Sequence, residues 1–235
     1  MKAKISEIFE SLFNSELRLI LKNPISIGSI SEPSEDLQCT AVRLDEHAIN
    51  MISKPCERAK KYVILKNPYH IKFMDNPSEE LQILAVSKEP DSIELIENPC
   101  LRAKFACIYS KPENIRYIKN PDKEIQVSAI QKSPCLISEL ENPCEAAQLT
   151  AVLNTPDTIF NIPQPSIRTM LVAVEKLAGF KIFPSDKNLD TITGIITQCY
   201  KLKENELNYK EYFKNEILKL KLNDLPSVQQ IRFDG

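Results

Sequence analysis

An all-α solenoid of about seven 22-residue repeats is the fold class that this 235-residue sequence predicts, and three observations predict it. Prolines stand at 33, 55, 77, 99, 121, 143 and 165, each 22 residues after the last. A second series keeps the same spacing at Pro24, Pro68, Pro90, Pro112, Pro134 and Pro156, with Glu46 in the one slot where proline is missing. Between the prolines, apolar residues recur at helical spacing, and a strict period of this length marks stacked supersecondary units. The expected organisation is a capping helix with a degenerate repeat over 1–32, solenoid repeats over 33–177, and a C-terminal helical cap or partner-binding extension over 178–235.

Residues 11–32 fit the repeat frame loosely. Leu19, Ile20 and Pro24 are in register, but Ser15 stands where an apolar residue belongs, as expected of a terminal repeat with one face open to water. From Pro33 onward each first-series proline is expected to open a helix of about three turns. Leu37, Ala59, Leu81, Ala103, Ile125 and Ala147 lie four residues after it. Ala41, Val63, Ala85, Cys107, Ala129, Ala151 and Ala173 follow four later, each with a branched apolar neighbour. This is one helical stripe, and its alanine column marks where neighbouring helices approach closely. Each second-series slot is followed by isoleucine three residues on (Ile27, Ile49, Ile71, Ile93, Ile115, Ile137, Ile159) and by Ile, Met or Leu three later. The pattern predicts a short helix or 3₁₀ segment pinned by two side chains.

Proline suits the first position of a helix, where its missing N–H is not needed. Six of these prolines follow Asn23, Asn67, Asn76, Asn98, Asn120 and Asn142, which are expected as N-caps, with Asn76 to Glu79 spaced like a capping box. Cys56, Cys100 and Cys144 recur every 44 residues, so the unit is expected to be a pair of repeats. Three residues after the first-series prolines the column reads Asp36, Arg58, Glu80, Arg102, Glu124, Ala146 and Arg168, which would set opposite charges side by side.

The frame fails after Pro165 at Leu177–Gly179. Phe180, Ile182 and Phe183 are expected to close the core, and helices over 189–203 and 205–222 to form a terminal hairpin. Their apolar set includes Ile192, Ile195, Ile196, Cys199, Tyr200, Tyr209, Phe213, Ile217, Leu218 and Leu220.

Lys and Arg number 30 against 32 Asp and Glu, so the net charge is −2. A dedicated nucleic-acid binder is more often basic. The seven cysteines are scattered and form no CxxC pair, which fits a reducing compartment better than a disulfide framework or a zinc site. Glu7, Glu10, Glu16 and Arg18 interrupt the apolar N-terminal pattern, which therefore reads as neither signal peptide nor membrane span. A cytoplasmic protein with no membrane partner is expected.

The frame Asn-Pro-x-x-x-[Leu/Ala/Ile]-x-x-x-Ala-[Val/Ile], followed by Pro-x-x-Ile-x-x-Ile, resembles short-unit α-solenoids. It is most similar to the leucine-rich-repeat variants, whose units usually hold 24 residues rather than 22, and more distantly to HEAT-like arrays. The likeness covers residues 11–177 and implies a right-handed superhelix. No cofactor carries over, because the cysteine cluster of the variants has no counterpart here. Short Asn-Pro repeats also resemble those of bacteriophage and mobile-element proteins.

Chemistry is hard to place. The four glycines form no phosphate-binding loop, and neither His47 nor His70 has a partner set by spacing; His70, between Tyr69 and Ile71, is expected to be exposed. Cys56, Cys100, Cys135 and Cys144 follow prolines, where a helix N-terminus could depress a thiol pKa. The equivalent slots hold Ser34, Ser78, Asp122 and Ser166, so a small structural residue is the reading. A non-catalytic protein without cofactor, metal or small-molecule substrate is expected. Its partner is expected to be another protein or protein complex, in one version a host antiviral complex inhibited or bridged by a phage-type chain. Nucleic-acid binding and a scaffold role are the alternatives, the first resting on basic residues such as Arg58, Lys60, Arg102 and Lys104 and the C-terminal lysines. Partner-binding residues are expected in the columns that vary while the core columns stay fixed: Asn50, Met51, Lys72, Phe73, Glu94, Leu95, Arg116 and Tyr117 in the short segments, Arg43 and Tyr109 on the long helices.

Overall fold

The computed structural model describes residues 15–179, 186–205 and 207–223. Among them there is no strand. Helix α1 covers residues 15–22. Seven six-residue 3₁₀ segments then alternate with α-helices: η1 (Pro24–Ser29), α2 (Glu35–Leu44), η2 (Glu46–Met51), α3 (Glu57–Lys66), η3 (Pro68–Phe73), α4 (Glu79–Lys88), η4 (Pro90–Leu95), α5 (Leu101–Ser110), η5 (Pro112–Tyr117), α6 (Lys123–Lys132), η6 (Pro134–Glu139), α7 (Glu145–Asn154), η7 (Pro156–Asn161) and α8 (Ile167–Ala178). Helices α9 (Asp186–Glu204) and α10 (Tyr209–Asn223) follow. The predicted helical repeat array is what forms, long helix and 3₁₀ segment in turn.

The chain divides into two compact units, Met1–Ile118 and Lys119–Gly235. In the first, α2 packs on α3, α3 on α4 and α4 on α5, while η1 packs on η2, η3 on η4 and η4 on η5. In the second, α6, α7 and α8 pack in sequence, η6 lies on η7, and α9 and α10 form a hairpin that rests on α8 and η7. Each unit is thus built of neighbour-to-neighbour contacts, as the period requires.

The core columns are where the pattern placed them. Ile27, Ile71, Ile93, Ile115, Ile137 and Ile159 are buried, as are the alanines at 41, 59, 85, 103, 129, 147, 151 and 173. Burying one such isoleucine contributes about 1.5–3 kcal/mol, against about 0–1 for an exposed ion pair, so these columns and not the surface charges hold the array. The ion pairs are real but follow the expected alternation only at the start. Arg58 pairs with Asp36, whereas Glu80 takes Lys61 instead of Arg58. In α1, Ile20 is buried but Leu19, also in register, is exposed.

The punctuation differs from the sequence reading. The long helices start two residues after the first-series prolines, and their N-caps are Ser34, Cys56, Ser78, Cys100, Asp122, Cys144 and Ser166. The Oγ of Ser34, Ser78 and Ser166 accepts from the N–H of Leu37, Leu81 and Thr169. Asn76, Asn98, Asn120 and Asn142 are therefore not caps, and no capping box forms at 76–79. Asn76 (φ 48°) and Asn120 (φ 46°) instead turn the chain through left-handed backbone, which asparagine tolerates best after glycine. Asn23 and Asn67 do cap, but they cap 3₁₀ segments, accepting from Ile25 and Tyr69 N–H. Asp45 does the same for His47 N–H, so η2 starts without its proline.

A column of buried glutamines, which the sequence reading passed over, ties repeats together. Gln38, Gln82, Gln126 and Gln148 each donate from Nε2 to the carbonyl of their own proline, Pro33, Pro77, Pro121 and Pro143, at 2.9–3.0 Å. Their Oε1 atoms accept the N–H of Cys56, Cys100, Cys144 and Ser166, the N-cap residues of the next helix, at 2.7–2.8 Å. Each glutamine thus satisfies a backbone donor and a backbone acceptor in two successive repeats, groups that are costly to bury unpaired. Lys60 and Lys104 hold the equivalent places in α3 and α5. The 44-residue alternation has this as its physical counterpart in the first five repeats.

At the C-terminal end Gly179 (φ 75°) caps α8 in left-handed backbone. Phe180, Ile182 and Phe183 lie outside the described residues. In the hairpin Ile192, Ile195, Ile196, Cys199, Phe213, Ile217 and Leu220 are buried, while Leu218 is exposed instead of joining the core. Among the described residues no helix is long and apolar enough to cross a membrane.

Candidate interaction surface

In η2–η5 the last two residues of the 3₁₀ segment follow the isoleucine that anchors it and stand largely at the surface. In η2 to η5 these are Asn50 and Met51, Lys72 and Phe73, Glu94 and Leu95, Arg116 and Tyr117, all within the first unit. The fifth-position residues Asn50, Lys72, Glu94 and Arg116 are exposed, and so are Met51, Phe73 (55 %) and Tyr117; Leu95 is half-buried. Two of the cations lie on their neighbours' rings: Lys72 Nζ is 4.6 Å from the Phe73 centroid and the Arg116 guanidinium carbon 5.7 Å from that of Tyr117. Arg116 Nε also donates to the Glu113 carbonyl at 3.1 Å, which restricts the side chain.

Eight of the ten expected residues therefore share one row of segments. Arg43 and Tyr109 stand apart on α2 and α5. Arg43 lies over the Tyr62 ring at 5.5 Å, and Tyr109 is 78 % exposed.

The first-unit segments are braced from behind. Asp91 of η4 accepts from Lys111 Nζ at 2.7 and 2.8 Å and from Asn114 Nδ2 at 2.9 Å, and these donors hold its carboxyl below the usual range. Gly28 backs onto Met51, where an added Cβ would stand 3.1 Å from Met51 Cβ and 3.3 Å from its carbonyl oxygen, so a side chain there requires Met51 to give by a few tenths of an ångström.

The two histidines, which spacing did not pair, come together between η2 and η3. Their ring centroids are 5.7 Å apart, and His70 stacks edge-on against Phe73 at the same distance. His70 is 5 % exposed, which corrects the expectation of an exposed side chain. The third position is buried in five of the seven 3₁₀ segments, at Ala48, His70, Ser92, Asn114 and Thr158, and half-buried at Ser26 and Leu136. Burial pushes the His70 imidazole below its ordinary pKa, against the pull of Glu46, whose Oε1 is 3.5 Å from Nε2. Its Nδ1 has no hydrogen-bond partner. Glu46, also 3.2 Å from Lys66, thus fills the missing-proline slot with a charge that faces both Lys66 and His70.

Beside this pair a groove of about 620 Å³ opens between the η2 turn and η3, lined by Asn50, Ile52, Ser53, Lys54, Lys60, His70, Phe73 and Asp75 among others. Lys60, in the glutamine position, reaches Glu57 at 2.8 Å instead of bridging repeats. The signal was legible: glutamine five residues after the proline in four of seven repeats, broken at Lys60 beside the only two histidines.

Thiol chemistry finds no support. Burial pushes Cys56 up, Cys107 to about 11 and Cys199 to about 12, the reverse of an activated thiol. Among the described residues no group of three or more His, Cys, Asp or Glu is placed to hold a metal ion.

A second covered position lies in the other unit. Phe160 occupies the fifth place of η7, equivalent to Lys72 and Arg116, yet is 1 % exposed. Tyr209 and Phe213 of α10 meet it edge-on at 5.0 and 5.3 Å, and Lys210 pairs with Asp157 at 2.6 Å. In comparisons with known proteins, no family model, no curated protein and no solved structure matches the chain.

Proposed function

We propose that this chain is a non-catalytic protein–protein interaction module whose partner binds along the 3₁₀ row η2–η5. One observation carries the reading: Met51, Phe73 and Tyr117, two of them overlain by cations, stand on segments pinned by buried isoleucines and stay exposed, although Phe73 also meets His70 and Met51 faces Gly28. Rigid aromatic residues beside cations are the chemistry of energetic anchors at interfaces. Glu94, in the same row as Lys72 and Arg116, runs against a phosphate backbone as the ligand. The finer version, an inhibitor or adaptor of bacteriophage type acting on a host antiviral complex, rests on the Asn-Pro resemblance alone. The likeness to leucine-rich-repeat variants and HEAT-like arrays supports extended-surface recognition in the same way.

Affinity capture from the native host, followed by mass spectrometry, tests this when repeated with Lys72→Glu and Arg116→Glu. Each reversal is expected to lower recovery of the same specific complex by about tenfold, equivalent to about 1.4 kcal/mol. Equal recovery with both variants contradicts the choice of face.

A further inference from the structure

Three departures from the repeat coincide at one junction of the first unit. Glu46 replaces a proline, Lys60 replaces the repeat-bridging glutamine, and the only two histidines of the chain meet there. Where glutamine is present, its amide fills the space between its own proline carbonyl and the next N-cap. Lys60 leaves that bridge unmade, but the 620 Å³ groove itself recurs one repeat on, at about 550 Å³ beside Gln82, with Asn76, Gln82 and Glu97 where this one has Lys54, Lys60 and Asp75; its lining and not a missing bridge sets it apart.

Resting on the reading of η2–η5 as a binding row, we infer that this groove is the specificity pocket of the row, and that it takes an acidic side chain of the partner protein with an apolar residue next to it. Charge complementarity selects that occupant. Lys54 and Lys60 line the groove and exposed Lys72 stands beside it on η3, against Asp75 as the one acid in the lining. The remaining nearby acids are engaged within the protein, Glu57 with Lys60 and Ser78, Glu46 with Lys66 and His70. Ser53 and Asn50 add neutral donors, and His70, buried with Nδ1 unpartnered, forms part of the wall. Exposed Phe73, on the same wall, offers its ring to the apolar neighbour. A carboxylate reaching Lys54 gains one charge-assisted contact, and a second by taking Lys60 from the exposed Glu57 carboxylate, in a half-enclosed site where such contacts are stronger than on open surface.

The test is an NMR titration of the full chain with two probes, acetyl-Gly-Glu-Leu-Gly-amide and its glutamine counterpart. The glutamate peptide is expected to give saturable shifts at amides within 50–54, 60 and 70–75, with the glutamine peptide at least about tenfold weaker. Lys54→Ala and Lys60→Gln should each weaken the glutamate peptide by about threefold or more; Lys54→Ala touches no repeat bridge, so it reports even if Lys60→Gln rearranges the junction. Equal binding of the two peptides, shifts confined to other segments, absence of saturation, or no effect of either variant would overturn the inference. So would tighter binding of a short oligothymidylate at the same amides, which would make the groove a phosphate site. If the peptides fail while Lys72→Glu and Arg116→Glu still lower capture, only the pocket is wrong; if the peptides bind and capture is indifferent to the reversals, the broader reading fails.

Discussion

In η3 and η5 the fifth residue is Lys72 or Arg116 and stands in water; in η7 it is Phe160 and lies under two aromatic rings of α10. The backbone is the same in all three, a six-residue 3₁₀ turn ending in an extended residue whose N–H returns to the buried isoleucine carbonyl. What differs is the neighbour. Where the chain supplies its own cover, the position is aromatic and the adjoining sixth residue is Asn161. In η2–η5, where nothing in the unit covers it, the fifth residue is polar or charged and the sixth is Met51, Phe73, Leu95 or Tyr117. The contrast teaches that this row is optional to the core, so its composition reports what is meant to lie on it.

The largest break in that contrast comes from removing the covered ring. Phe160→Ala is expected to destabilise the second unit by about 3–5 kcal/mol in urea denaturation and to speed amide exchange in α10. Unchanged exchange in α10 would mean the hairpin does not depend on this face.

Next in size is the bridge between repeats. Gln82→Ala leaves the Pro77 carbonyl and the Cys100 N–H without their partner, a loss of about 1–3 kcal/mol. Lys60→Gln should do the opposite and raise the urea midpoint, since it restores both bonds at the α3 junction. A fall in both variants would show that the glutamine column is not an independent brace.

The repeat frame was legible because its determinants are local: proline spacing, alanine where helices meet, isoleucine three residues into each short segment. The helix starts were misjudged because Asn-Pro can cap a helix or turn a chain, and the choice depends on the left-handed backbone at Asn76 and Asn120, which tertiary packing selects. The candidate row emerged from its variability. The glutamine column at 38, 82, 126 and 148 was legible but passed over, whereas His70 and Phe160 were missed because their partners come from the neighbouring repeat or, for Phe160, from some 50 residues away, and no single-repeat pattern carries that information.

Smaller still is a pH effect confined to η2–η3. His70 faces Glu46 and His47 of η2, Lys66 of α3, and Lys72 and Phe73 of its own segment. Its folded pKa is depressed below an unfolded value of about 6.5, so the native state binds fewer protons there. Its stabilising contribution is full above that value and is lost as pH falls through the depressed one. The urea midpoint of the wild type should therefore drop between about pH 7.5 and 5 by more than that of His70→Gln. Equal drops would remove His70 as the cause. Smallest of all, Lys72→Glu and Arg116→Glu should leave stability within about 0.5 kcal/mol of wild type, as expected of side chains the core does not use.

The most direct measurement of the central claim is amide hydrogen exchange of the full chain with and without its captured partner. New protection is predicted in η2–η5, around 50–51, 72–73, 94–95 and 116–117, with the long helices of the first unit and the α9–α10 hairpin little changed. Protection confined to the hairpin or to the long helices, with the 3₁₀ row exchanging as in the free protein, would contradict it.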